Sequence, residues 1–238
     1  GGTSGIGLSA AKAFANQGAK LVCIGKDQAS CLAAGQVLGA TAKVFQADAC
    51  LESTAPTAIQ TCLDAWGDFD GLYHVAGGSG RSFGDGALHE MTLEGWQKTL
   101  DLNLTSAMLS NRAAVRTFLE MGHGGAILNL GSVLAFSPSP KHFATHAYAA
   151  AKAGLVGFCR SIAAFYAPQN IRVNVLSPAL VESPMSQRAL KNEEVMAFIS
   201  KKQPLGGGRI GQPEDLDGLA SLLLSEAGAF ITGQVFNV

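Results

Sequence analysis

The sequence predicts an α/β protein with a doubly wound parallel sheet flanked by helices. Strand-like and helix-like stretches alternate along the whole chain, as in βαβ units. The composition agrees, since 47% of the 238 residues are hydrophobic and only 15% are charged, which suits a sheet buried on both faces. The chain shows no linker, internal repeat or low-complexity segment, so we expect one domain over residues 1–238.

The individual elements are predicted from length, periodicity and residue type. Short aliphatic runs predict strands at 19–25, 42–47, 69–76, 126–130, 171–176 and 233–238. Longer runs with helical spacing predict helices at 4–17, 29–38, 54–66, 92–100, 104–121 and 147–167.

Charge, hydropathy and cysteine usage argue against several classes of protein. The net charge of -1 gives no bias toward nucleic acid or an anionic membrane. No apolar run reaches the roughly 20 residues that a membrane span needs. The five cysteines lack C-x-x-C spacing, which argues against a disulfide framework or a metal site and for a reducing compartment. We therefore expect a cytoplasmic protein with no metal, nucleic-acid or membrane partner.

A tyrosine and a lysine lie one helical turn apart in Tyr148-Ala-Ala-Ala-Lys152. Residues four apart share a helix face. A phenol titrates near pH ~10, and an adjacent ammonium favours its ionised form, so we expect Lys152 to lower the pKa of Tyr148. The pair is a candidate acid/base device, although the same spacing also occurs in ordinary surface pairs.

The chain opens on a glycine-rich turn that is typical of phosphate binding. Glycine lets backbone amides approach a pyrophosphate, and the N-terminus of the following helix favours its charge. The expected cofactor contacts are Gly1, Thr3, Ser4, Gly5, Ile6 and Gly7. No strand precedes the turn and the chain stops within a predicted strand, so we expect a fragment trimmed at both ends that lacks the first strand of the sheet.

Together these motifs resemble the short-chain dehydrogenase/reductase family, in its compact single-domain form. The resemblance covers essentially the whole chain and implies a Rossmann-type sheet in a single dinucleotide-binding and catalytic domain. It implies four catalytic residues: Ser132 after the fifth strand, Tyr148, Lys152 and Asn103. Asn103 matches the family's asparagine that holds a water in a proton relay. The expected substrate is a small ketone or secondary alcohol.

The resemblance also implies cofactor contacts along the rest of the chain. They are Lys26, Asp48, Ala76, Gly77, Tyr148, Lys152, Pro178, Val181 and Ser183. The small Gly25 followed by Lys26 suits the 2′-phosphate of NADP, so NADP is favoured over NAD. The neighbouring Asp27 limits this preference, as does Ser4, which stands where many NADP-dependent relatives carry a cation.

Several interpretations stay open at the level of sequence. An NAD(P)-dependent oxidoreductase is favoured, and the alternative is a non-catalytic dinucleotide-binding or scaffold protein on the same fold. His74 is more plausible as a structural hydrogen-bonding residue than as a base. Residues 185–205 are expected to cover the substrate, and an anionic group of the substrate is a possibility near Arg81. The resemblance further implies a homodimer or homotetramer.

Overall fold

The structure is a computed structural model that describes residues 1–139 and 141–238. Six short strands lie within those residues. In chain order they are β1 (Leu21–Gly25), β2 (Ala42–Gln46), β3 (Gly71–His74), β4 (Gly125–Leu130), β5 (Ile171–Ser177) and β6 (Val235–Asn237).

Helices connect the strands throughout the described part of the chain. They are α1 (Gly5–Asn16), α2 (Gln28–Leu38), α3 (Thr54–Trp66), α4 (Leu93–Leu100), α5 (Ser106–Met121), α6 (His146–Tyr166), α7 (Gln187–Leu190), α8 (Glu193–Lys202), α9 (Leu205–Gly208) and α10 (Asp217–Leu224). A π-helical turn over Asp101–Thr105 joins α4 to α5.

The strands form two groups in which every pairing is parallel. β1 pairs with β2, and β3, β4, β5 and β6 lie side by side in that order. The carboxyl ends of parallel neighbours meet at the same edge of a sheet, where loops from several strands can build one site. The predicted α/β class with a parallel sheet flanked by helices is confirmed.

Gly1 and Gly2 lie between the two groups of strands. The Gly1 amino group and the Gly2 amide donate to the Ile24 carbonyl in β1, at 2.8 and 3.0 Å. On its other side Gly1 touches the backbone just after β3, where an added β-carbon would come within 2.6 Å of the Ala76 nitrogen. The opening turn therefore lies between the carboxyl ends of β1 and β3.

Apolar cores cover both faces of the larger group of strands. Ile127 of β4 and Val173 of β5 pack with buried side chains of α3, α5 and α6. Leu128 and Leu176, on the same two strands, pack instead with α10 and part of α1. Side chains alternate between the faces of a strand, so this division shows helices on both sides of the sheet.

Three segments differ from the sequence prediction. The strand expected at 69–76 is shorter, because the backbone after His74 turns toward Gly1. The helices expected at 92–100 and 104–121 are continuous through the π-helical turn. Residues 185–205, predicted as a cover for the substrate, include α7 and α8. Within the described residues no helix is long and apolar enough to cross a membrane.

Candidate active site

The predicted catalytic residues converge at the carboxyl edge of the sheet. Ser132 follows β4, Tyr148 and Lys152 lie in the first two turns of α6, and Asn103 lies in the π-helical turn. Ser132, Lys152 and Asn103 are buried, and Tyr148 is partly buried beside an open cleft. Groups from three separate segments of the chain therefore meet at one edge of the sheet.

Polar contacts hold the tyrosine and the lysine in place. The Ser132 side chain interacts with the Tyr148 phenol and lowers its pKa, while the Ser132 hydroxyl accepts the Leu134 amide at 3.2 Å. The Lys152 Nζ atom donates to the Leu130 carbonyl at 2.6 Å and lies 5.7 Å from the centre of the Tyr148 ring. The end of β4 thus holds the ammonium next to the phenol.

Burial dominates the protonation of this pair. It raises the pKa of Tyr148 above its usual value, while the interaction with Ser132 opposes that rise. Burial also lowers the pKa of Lys152 to about 8. Desolvation of the phenolate thus outweighs the effect of Ser132, and the expected lowering of the phenol pKa by Lys152 stays a prediction. A lysine pKa this close to neutrality allows Lys152 to release and regain a proton.

Asn103 connects the π-helical turn to the loop after β3. Its Nδ2 atom donates to the carbonyls of Gly78 (2.8 Å) and Thr99 (2.9 Å), and its Oδ1 atom accepts from the Gly78 amide at 3.0 Å. A β-carbon on Gly77 would lie 2.7 Å from that Oδ1 atom and 3.5 Å from the Lys152 Nζ atom. Asn103 is therefore a neighbour of Lys152 across Gly77, and its part in a proton relay stays a prediction.

His74 is a structural residue. Its Nδ1 atom lies 2.8 Å from the Ser110 hydroxyl and its Nε2 atom 3.4 Å from the Ser106 hydroxyl. The ring is buried, and this burial lowers the pKa of His74 to about 3. Both ring nitrogens have partners within α5 or the turn before it, which agrees with the preferred interpretation of the sequence.

Asp85 is a functional candidate that the sequence did not reveal. Its carboxylate accepts the amides of Ala147 (3.0 Å) and Tyr148 (2.9 Å), in the first turn of α6, and its side chain is 3% exposed. A carboxylate at a helix N-terminus accepts hydrogen bonds from the free amides and interacts favourably with the helix dipole. Asp85 therefore sets the backbone position of Tyr148, a role that depends on contacts across more than 60 residues.

The glycine-rich turn forms a groove that larger side chains would fill. A β-carbon on Gly7 would come within 1.9 Å of the Gly1 carbonyl oxygen. Gly5 has a φ of +48°, and a β-carbon there would lie 3.3 Å from both Ser183 and Pro184. These contacts bring the turn against Ala76 on one side and Ser183 on the other, as a backbone cradle for a pyrophosphate requires. The residues present fit a dinucleotide.

The first turn of α1 adds an electrostatic reason for phosphate binding. Ser4 occupies the N-cap without a side-chain hydrogen bond, and the described first turn holds no acidic residue. Its amides therefore keep their positive field. Thr3 points elsewhere: its hydroxyl lies 3.1 Å from that of Ser30, and a β-carbon on Gly25 would collide with it.

Lys26 and Asp48, predicted as separate cofactor contacts, bind each other. The Lys26 Nζ atom lies 2.7 Å from the Asp48 Oδ2 atom, at the ends of β1 and β2. The hydrogen bond from Lys26, followed by one from the Cys50 amide, lowers the pKa of Asp48. Lys26 remains 76% exposed, so this ion pair is weak enough to yield to a phosphate.

Five of the predicted contacts line a cleft of about 440 Å³: Ile6, Tyr148, Pro178, Val181 and Ser183. Pro178, Val181 and Ser183 follow β5 and face the opening turn, from which Ile6 contributes. The cleft reaches Ser132 and Tyr148, and its lining also contains Leu134, Phe136 and Phe143. The two candidate catalytic hydroxyls thus line the same cleft as Ile6, at the start of α1.

Comparison with known proteins gives matches over the whole chain. The family model described as "Enoyl-(Acyl carrier protein) reductase" matches residues 1–238. The chain is 36% identical to 2-(S)-hydroxypropyl-CoM dehydrogenase 3 of Xanthobacter autotrophicus, covering 100% of this chain and 92% of that protein. It is also 36% identical to the inactive 2-(S)-hydroxypropyl-CoM dehydrogenase 2 of the same bacterium, over 96% of each.

A solved structure shares the fold. A short-chain type dehydrogenase/reductase from Mycobacterium ulcerans superposes with a TM-score of 0.90 at 29% identity, and the match covers 100% of this chain and 86% of that one. The close superposition supports the helix-flanked parallel sheet described above.

The buried His74 is expected to make the protein sensitive to acid. The unfolded histidine titrates near 6.5 and the folded one near 3, so the unfolded state binds more protons between these values and the free energy of unfolding falls as pH falls. From pH 6.5 to pH 5 this group contributes a loss of about 2 kcal/mol. Urea unfolding at both pH values measures it, and in His74→Asn the loss is smaller by that amount. An equal loss in both proteins would contradict the assignment.

Asp85 is expected to affect both turnover and stability. In Asp85→Ala two amides at the start of α6 lose their acceptor, which costs about 0.5–2 kcal/mol of unfolding free energy and displaces Tyr148. We expect kcat to fall roughly tenfold or more while cofactor affinity changes little. Asp85→Asn keeps one acceptor oxygen and should recover part of kcat. The exposed Asp64→Ala is the control, and a stability loss without a kcat loss would show that Asp85 has no positioning role.

Proposed function

Because the chain belongs to the short-chain dehydrogenase/reductase family, we propose that it is an NAD(P)-dependent enzyme that interconverts a ketone and a secondary alcohol. The single observation that carries this proposal is the placement of Tyr148 between Ser132 and Lys152, beside a cleft that the start of α1 also lines. The family establishes an oxidoreductase, and the pairing of these groups supports a carbonyl or alcohol as the reacting group.

Tyr148 and Ser132 handle the substrate oxygen in this proposal. Both hydroxyls reach the cleft, so a carbonyl oxygen can accept a hydrogen bond from each of them. The raised pKa of Tyr148 keeps the phenol protonated at neutral pH, and it can therefore donate a proton to the oxygen as the carbonyl is reduced. A bound nicotinamide dinucleotide would supply or accept the hydride at the substrate carbon.

Lys152 returns a proton to Tyr148 in this proposal, and Asn103 orders the path by which Lys152 regains it. The Lys152 ammonium, with its pKa of about 8, lies beside the phenol and can pass a proton toward it. Asn103 lies on the other side of Gly77, where it would order the route from Lys152 to solvent. Lys152 also lies beside Gly77, a predicted cofactor contact, and would bind a ribose hydroxyl of the dinucleotide there.

NADP is the proposed cofactor, in preference to NAD. Gly25 leaves the end of β1 without a side chain, and the exposed Lys26 supplies a cation there. The nearest acidic group of that loop, Asp27, already accepts the Ser30 amide at 2.7 Å as the cap of α2. Its carboxylate is therefore engaged, and this weakens the case for an acid that binds the adenosine ribose.

A non-catalytic protein on the same fold is the second candidate. It is favoured by one finding: a relative at 36% identity carries the word "inactive" in its name. Against it stands the complete set of Ser132, Tyr148, Lys152 and Asn103, brought together with the hydrogen bonds described above. Detection of cofactor binding without turnover on any ketone or alcohol would favour this candidate.

The quaternary structure is proposed as a homodimer or homotetramer formed through α5 and α6. Large apolar side chains are exposed on these helices, with Leu119 at 46% and Phe165 at 73%. Light scattering of the full chain distinguishes this arrangement from a monomer.

Tyr148→Phe tests the proposed reaction. Removing the phenolic hydroxyl removes the proton donor, so kcat should fall roughly 100- to 10,000-fold, with the affinity for NADPH unchanged. Ketone reduction followed by NADPH absorbance measures the first quantity, and cofactor fluorescence the second. Tyr166→Phe, on the same helix but outside the cleft, is the matched control. Turnover near that of the unmodified protein in Tyr148→Phe would exclude the assigned role.

Lys26→Ala tests the choice of cofactor. Loss of a charge-assisted contact to a 2′-phosphate should weaken NADPH binding about tenfold while NADH binding stays within about twofold. Calorimetric titration of both cofactors measures the two affinities, and the exposed Lys43→Ala is the control. Equal losses for NADH and NADPH would remove Lys26 from the cofactor site.

A further inference from the structure

The substrate end of the cleft carries an excess of positive charge. Its charged lining residues, among those the structure describes, are Arg81, Arg188 and Lys202, and no aspartate or glutamate lines it. The chain as a whole has a net charge of -1, so this excess is local. A pocket for an uncharged ketone has no need of three cations.

The two arginines converge on one point. Arg81 comes from the turn after β3 and Arg188 from α7, and the Nη2 atom of each lies 3.4 Å from the carbonyl oxygen of His142. The two guanidinium groups are therefore close neighbours. Burial lowers the pKa of Arg81, the positive charge of Arg188 lowers it further, and the Asp85 carboxylate opposes both effects without forming a salt bridge. Holding like charges together is unfavourable unless an anion joins them.

Several other cations of the chain have a carboxylate partner. Arg112 pairs with Glu52, Arg209 with Asp215, and Lys141 with Glu194. Within residues 1–139 and 141–238 neither Arg81 nor Arg188 forms a salt bridge with a carboxylate. Their long and shared contact with one neutral carbonyl leaves most of their donor hydrogens available.

Lys202 differs from the arginine pair. Its Nζ atom donates to the Ser137 hydroxyl at 3.2 Å and lies 5.7 Å from the centre of the Phe198 ring. It already has partners, and as a point charge it lacks the planar fork with which arginine binds two oxygens. The arginine pair is thus the stronger candidate for direct contact.

Apolar side chains occupy the wall that the arginines share with the catalytic end. Leu134, Phe143 and Ala189 line the same cleft as Tyr148 and the arginine pair. A ligand that fills the cleft would have its reacting carbon at Tyr148, an apolar body along this wall and a negative group at the arginines. Such a ligand gives the arginine pair a counterion.

We propose that Arg81 and Arg188 form an oxyanion subsite, and that the substrate is a ketone or secondary alcohol carrying a carboxylate or sulfonate. This inference rests on the proposed function for its reacting group. Two arginines can each donate two hydrogens to such a group, which gives orientation as well as affinity. The subsite therefore selects the charged end of the substrate while Ser132 and Tyr148 bind its oxygen.

Matched substrates test the subsite. Levulinate, its methyl ester and acetonesulfonate present an anionic carboxylate, a neutral group and a sulfonate on a methyl ketone. We expect kcat/KM for at least one anion to exceed that of the ester by about tenfold or more, as hydrogen bonds to charged groups contribute. The ratio between the two anions identifies the preferred oxyanion. An ester that reacts as well as both anions would overturn the proposal.

Arginine variants test whether Arg81 and Arg188 cause the preference for the anionic substrate. In Arg81→Gln and Arg188→Gln the loss of kcat/KM for the anion should exceed the loss for the ester about tenfold, chiefly through KM. Arg81→Lys should recover only part of the loss, because lysine cannot bind two oxygens in a plane. Arg160→Gln, an exposed arginine of α6 outside the cleft, should change neither substrate. Equal losses for anion and ester would overturn the subsite.

A binding measurement separates this inference from the proposed function. Calorimetric titration of 4-hydroxypentanoate into the full chain with NADPH, and of acetonesulfonate into the full chain with oxidised NADP, reports binding without turnover. Arginine-dependent binding without turnover would support the subsite and remove the enzymatic proposal. Turnover of neutral ketones without any preference for anions would support the enzyme and remove the subsite.

Discussion

The buried ammonium of Lys152 is the constraint on which the site depends. Its side chain is 3% exposed, and a charge so removed from water needs partners. The Leu130 carbonyl at the end of β4 provides one at 2.6 Å. This bond fixes where α6 crosses the sheet edge, and with it the position of Tyr148. The catalytic pair is thus tied to the most buried part of the fold, so its geometry is as rigid as the sheet itself.

The same edge is crowded, and small residues make the crowding possible. Gly77 fits between Asn103 and Lys152, and Gly7 lies against the Gly1 carbonyl. A single β-carbon at either position would collide with these neighbours. The site therefore requires glycine at these positions as well as its polar groups. The backbone cradle and the proton-handling groups can lie at the same edge only because these positions carry no side chain.

Chemistry and specificity come from different parts of the chain. Ser132, Tyr148 and Lys152 lie on a strand end and a long helix, which hold them rigidly. Arg81 and Arg188 come from the turn after β3 and from the short helix α7, segments that can change without disturbing the sheet. The family's reaction can therefore be kept while the preferred substrate changes. The proposed anion specificity would depend on the wall residues and the arginine pair.

The sequence by itself determined the fold class and the order of the elements. It also singled out Tyr148, Lys152 and the glycine turn as candidate functional groups. These follow from local spacing and residue type, which helices, strands and tight turns express over a few residues. Only the tertiary structure decided the Lys26–Asp48 pair, the contact of Asp85 with α6 and the convergence of Arg81 and Arg188. It also showed that burial raises the pKa of Tyr148. Each of these depends on burial or on contacts between distant segments, and neither quantity has a local signature in the chain.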